Sequence, residues 1–135
     1  MKKQFLISGI SLALFCSVAQ ATPVIFDQAG NFTWYVPTGV TSVNVLAIGG
    51  GGGGASGHQG GGGAGYITGG TFSVTSGDLI SIKVGAGGAG GQTVSNSNNI
   101  VGLTAGGASQ FGSFFTVAGG GVVSGVNQGG QNGSS

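Results

Sequence analysis

The chain has 135 residues, 34 of them glycine, with three Lys or Arg against two Asp or Glu and a formal net charge of +1. So few cations exclude a basic nucleic-acid surface, which must neutralise several phosphates at once. Collagen is excluded too, because Pro23 and Pro37 are the only prolines and the glycine period is broken. The competitor to a fold is low-complexity disorder, since chains this rich in glycine are usually flexible.

The N-terminus reads as an export signal. Lys2 and Lys3 make a basic start, residues 5–18 are mostly apolar, and Ala19, Gln20 and Ala21 form an A-x-A cleavage site. The stretch is too short and too soon ended for a stable membrane span. Cys16 invites a lipoprotein reading, but bulky Phe15 precedes it and the A-x-A site lies beyond it, which favours cleavage after Ala21. The leader is bacterial in style and predicts a secreted, extracellular or cell-surface protein. Cleavage leaves a single glycine-rich domain over residues 22–135, with Lys83 against Asp27 and Asp78, hence a charge of −1, and no cysteine.

Strand signals then follow in order. Val24, Ile25 and Phe26 form a short candidate. In residues 32–36, Phe32, Trp34 and Val36 share one face while Thr33 and Tyr35 share the other. Pro37, Thr38 and Gly39 are turn chemistry. Residues 40–48 carry Val43, Val45 and Ala47 on one face and Asn44, Leu46 and Ile48 on the other, which predicts a strand covered on both sides. Further short runs at 66–68 and 71–74 precede a turn at Ser76, Gly77 and Asp78. In residues 79–84, Ile80, Ile82 and Val84 point inward, with Ser81 and Lys83 outward. Brief apolar returns occur at Ile100 and Val101 and, as a last strand candidate, at residues 114–117. Disorder has no need of such alternation, so residues 24–84 are expected to fold.

Residues 49–65 have another character. Glycine recurs at 51, 54, 57, 60 and 63, and a shorter echo falls at 85, 88 and 91. A three-residue period suits the extended left-handed helix with three residues per turn, which forms no internal hydrogen bonds. At ~3.1 Å per residue, residues 51–65 would reach about 47 Å, against a diameter of roughly 34 Å for a compact domain of this length. The block is therefore expected to fold back near residues 56–59 or to protrude. Beyond residue 118 glycine spacing changes to four, which predicts a fraying end or a shortened relative of longer proteins. The expected fold class is mainly β: a small antiparallel β-sandwich with inserted glycine-rich, polyglycine II-like left-handed helices.

The run from Phe32 to Ile48, the glycine block after it, and the later run from Leu79 to Gly91 resemble the glycine-rich domain family of bacterial and phage proteins. The likeness covers roughly residues 24–121. It implies a β-sandwich carrying glycine helices, similar to the extracellular glycine-rich segment of anaplastic lymphoma kinase. Phage tail adhesins are among the relatives, and in those the loops between glycine helices contact a bacterial receptor.

No catalytic constellation emerges. His58 is the only histidine and Asp27 and Asp78 the only carboxylates, too few for a metal site and better read as loop and turn residues. The G-x-G-x-x-G match from Gly85 arises by chance at this glycine density, with no helix former or acid after it. No enzyme activity and no cofactor are expected. The candidate ligand-facing residues are the polar loop positions Ser56, His58 and Gln59, and Gln92, Ser95, Asn96, Asn98 and Asn99. The expected partner is a cell-surface glycan or protein. Self-association into a structural surface component is the alternative, favoured by low charge and unblunted strand edges, and ice binding is a minor one.

Overall fold

The computed structural model describes residues 22–56, 60–93, 100–122, 130 and 132–133. Within them the chain is mainly β, with eight strands in antiparallel sheets and no helix. The strands are β1 (Gly30–Tyr35), β2 (Ser42–Ile48), β3 (Ile67–Ser73), β4 (Leu79–Val84), β5 (Gln92–Thr93), β6 (Ile100–Val101), β7 (Ser109–Phe111) and β8 (Phe115–Val117). A four-stranded sheet has the order β1-β4-β7-β8, while β2-β3 and β5-β6 form two-stranded sheets.

Alternation sets which side of each strand is inside. Phe32 and Trp34 face inward on β1 and lead to fully buried Val36, while Ile80 and Ile82 do so on β4, where Ile80 is buried. Trp34 and Ile82 join Val43, Val45 and Phe72 from β2 and β3 around a core of Val36, Ile80 and Phe111, while the Phe32 ring lies against Phe26. Phe72 of β3 stacks on Phe115 of β8 at 5.0 Å between ring centroids, and Phe111 lies 5.9 Å from it. Offset and tilted rings of this kind add to the area they bury. The two turns predicted from Pro37-Thr38-Gly39 and Ser76-Gly77-Asp78 close as expected. Val40 N–H donates to the Pro37 carbonyl and Asp78 N–H to the Thr75 carbonyl, with Gly39 and Gly77 at φ of 84° and 92°. Positive φ at that turn position is what glycine supplies.

Three expectations need correction. Val24 and Ile25 form no strand and are 61% and 74% exposed, since no neighbouring strand offers them a ladder. The runs at 66–68 and 71–74 belong to one strand, β3, which continues through Gly69 and Gly70. The outer face of β2 is open: Leu46 is 72% and Ile48 54% exposed, because β3 is the only sheet neighbour of β2 and nothing among the described residues covers that side.

The glycine segments extend the sheets. Residues 49–55 continue β2, 60–66 lead into β3, 85–91 continue β4, 103–108 lead into β7, and 118–122 continue β8. Their bonds turn through three directions. Gly49, Gly52 and Ala55 N–H donate to the carbonyls of Tyr66, Gly63 and Gly60. Gly50 and Gly53 donate to Gly107 and Thr104, whereas the carbonyls of Gly51 and Gly54 accept from Gly88 and Gly91. Residues three apart thus address one neighbour and residues one apart address different ones. The expected fold-back is present, because the pairing of Gly52 with Gly63 and Ala55 with Gly60 is antiparallel.

This spacing decides which glycines are obligatory. A methyl group at Gly53 would overlap the Ala89 carbonyl, one at Gly50 the Ala86 carbonyl, and one at Gly52 the Gly121 carbonyl. At Gly61 it would meet nothing, and at Gly54 its nearest neighbour is the Gly61 Cα at 3.6 Å, an ordinary contact. The glycines at 51 and 54 that carry the visible period are therefore the spacious positions. In the echo, by contrast, Gly85 and Gly88 are the crowded ones.

Substitution separates the two kinds. Gly53→Ala should destabilise the domain by about 3 kcal/mol or more, because backbone must move to admit the methyl group. Gly61→Ala should be neutral or stabilising by up to about 1 kcal/mol, through the smaller entropy of its unfolded chain. Denaturant unfolding of both variants measures the difference.

Candidate functional site

Register brings the ends of the glycine segments together. Residues 85–91 run parallel to 49–55, since Gly51 meets Gly88 and Gly54 meets Gly91, and residues 103–108 return antiparallel to both. Residues 118–121 lie antiparallel to 60–66 through the bonds from Gly63 to Gly121 and from Tyr66 to Ala118. Gly130 and Gly133 donate to the Gly61 and Ala64 carbonyls, and the Asn132 Oδ1 accepts from Ala64 N–H. All five segments start at strand ends, so their other ends share one side of the molecule. Ser56 and Gly60, Thr93 and Ile100, and Val122 and Gly130 stand there. Each pair flanks one of the three connections made at that end.

Two of the sequence candidates are placed. Ser56 is exposed at the end of its segment, and Gln92 is exposed in β5, where it pairs with Val101. His58, Gln59, Ser95, Asn96, Asn98 and Asn99 lie outside the described residues. Asp78 closes the turn before β4, and Asp27 is an exposed residue ahead of β1. Among the described residues no group of three or more His, Cys, Asp or Glu is poised to hold a metal ion. Nor does any helix among them have the length and apolarity to cross a membrane.

The junction of strands and glycine segments rests on Ser109, a residue that sequence reading passed over. It is 4% exposed. Its Oγ donates to the Ile48 carbonyl at 2.6 Å and accepts from Gly85 N–H at 2.9 Å. One hydroxyl thereby ties the end of β2 to the end of β4, at the roots of two glycine segments. Thr104 repeats the device further out, where its Oγ1 accepts from Ala89 N–H at 2.7 Å. The only sequence signal for either is a hydroxyl residue two positions from a glycine, which is commonplace in this chain.

A second surface faces away from the core on the four-stranded sheet. Asn31 pairs with Lys83, Lys83 with Gln110, and Gln110 with Thr116, so four polar residues form one row across four strands. Thr33 and Ser81 are opposed in the next row, and Tyr35 and Leu79 beyond them. A depression of about 320 Å³ is lined by Asn31, Thr33, Ser81, Lys83 and Gln110, with Phe32 and Ile82 between them.

A family profile described as a glycine-rich domain matches residues 27–135. The chain belongs to that glycine-rich domain family. No curated protein and no solved structure matches it significantly.

Ser109→Ala would leave Gly85 N–H and the Ile48 carbonyl without their buried partner. A loss of about 1–3 kcal/mol is expected, read as a fall in Tm, with Ser109→Thr recovering part of it.

Proposed function

We propose that the protein is a secreted, non-enzymatic recognition module of the cell surface, in which glycine segments act as a rigid stalk for three clustered loops. Its architecture is a small β-sandwich whose strands continue as polyglycine II-like helices. The three-residue rotation of the hydrogen bonds supports the helix type, since a helix with three residues per turn presents its amides to neighbours in that way. Phe72 against Phe111 and Phe115 supports the two-layer core. Export rests on the leader at residues 1–21.

The observation that carries the recognition reading is that the described ends of the glycine segments, at residues 56 and 60, 93 and 100, and 122 and 130, lie on one side. Loops held on a stiff frame lose little conformational entropy on binding, and residues 56–59 and 92–99 supply Ser, His, Gln and Asn for hydrogen bonding to a glycan or protein. The test is binding of the labelled mature protein to bacterial cells. Replacement of residues 94–99 by a glycine-serine linker of the same length should abolish binding while Tm changes little; retained binding refutes the role of that loop.

Self-association has its own observation. Leu46, Ile48 and Ile67 are 72, 54 and 58% exposed on one face of β2 and β3, and neither strand carries a charge. Asn44 beside them already accepts the Thr71 hydroxyl, so covering that pair would cost little. A second copy of this chain suits a face with no charge to repel it. Light scattering should show concentration-dependent dimers that Leu46→Asp removes; a monomer at every concentration ends this reading.

A further inference from the structure

Lys83 is the only cation among the described residues, and it forms no ion pair with any of them. It stands in the middle of the polar row, in register with Asn31 on one side and Gln110 on the other. No carboxylate lines the depression around it. An ammonium group placed alone on a sheet face is ordinarily solvated, but its surroundings here have a definite chemistry. Gln110 gives its Nε2 hydrogen to the Gly112 carbonyl at 2.8 Å, which fixes the amide and leaves its Oε1 as an acceptor. Thr33 and Ser81 add hydroxyls in the adjacent row, and Asn31 adds an amide with both donor and acceptor. Beyond them Tyr35, 57% exposed, and Leu79, 71% exposed, form an apolar pad on the same face.

We infer that this face of the four-stranded sheet binds an acidic saccharide, with the sugar carboxylate or sulfate at Lys83 and the apolar face of a neighbouring ring on Tyr35. A charge-assisted bond to Lys83 orients the anion. The mixed donors and acceptors of Asn31, Thr33, Ser81 and Gln110 match sugar hydroxyls, which are themselves both. Tyr35 offers the apolar, rigid surface on which C–H groups pack. From the row of Lys83 to the row of Tyr35 is four residues of extended strand, about 14 Å, the length of a short oligosaccharide. A polyanion such as nucleic acid would find only one cation here. The site lies on the strands and is independent of the loops at the far end of the glycine segments.

The experiment is an NMR titration of the mature protein with trigalacturonic acid, with the neutral galactose trimer as control. Shifts at Asn31, Thr33, Lys83 and Gln110 are expected with the acidic trimer, weakening as salt rises. Lys83→Gln and Tyr35→Ala alter exposed side chains, and each should lower affinity about tenfold, the equivalent of ~1.4 kcal/mol, without changing Tm. The pair His58→Ala with Gln59→Ala should leave this binding intact. No shifts with the acidic trimer, equal binding of the neutral trimer, or full affinity in Lys83→Gln would each overturn the inference. Loss of binding on changing His58 and Gln59 would also overturn it, by moving the site to the loops.

Discussion

Backbone-to-backbone hydrogen bonding between side-chain-free segments is the constraint on which this structure depends. The glycine segments cannot satisfy their amides internally as an α-helix does, so every inward N–H must find a carbonyl on a neighbour. That requirement sets the distance between segments, and the distance forbids a Cβ at Gly49, Gly50, Gly52 and Gly53. Neighbouring segments then have to run in register. Their common register is what brings the ends of the described segments to one side.

The strands supply what the glycines lack. An array of bare backbone buries almost no apolar side chain, and its glycines lose more entropy on ordering than other residues would. Core burial at Val36, Ile80, Phe111 and Val117 offsets that loss. Because each glycine segment begins at a strand end, the sheets also dictate where every segment starts. Ser109 shows the coupling at one atom: its Oγ joins the last residue of β2 to the first residue after β4. The aromatic cluster of Phe72, Phe111 and Phe115 holds the same two sheets from within.

A stiff frame with bare flanks has functional consequences. Side-chain chemistry is confined to two places, the connections at the far end of the segments and the outer faces of the sheets. The former suits recognition by loops, and the latter holds the isolated Lys83 amid hydroxyls and amides. Among those outer faces, that of β2 and β3 is aliphatic, and its lack of charge sets it apart from the face of Lys83.

Sequence alone determined the strands whose side chains alternate. Phe32, Trp34 and Val36, and Ile80 and Ile82, are inward because period-two patterning has only one way to sit on a core. Turn glycines at 39 and 77 were equally legible, since local backbone geometry dictates them; the length of the first glycine block left reversal and protrusion open, and the pairing of Gly52 with Gly63 decided for reversal. What only tertiary structure decided is the identity of the obligatory glycines and the exposure of Leu46 and Ile48. Whether a methyl group fits at Gly53 and not at Gly54 depends on where residues 89 and 61 lie. The same holds for residues 118–121, whose part in the array arises from contacts with residues 63 and 66 far away in the chain. Of the candidate site, the polar loop residues were visible as composition. The rows that assemble Asn31, Lys83, Gln110 and Thr116 were not, because strand register joins positions that no local pattern relates.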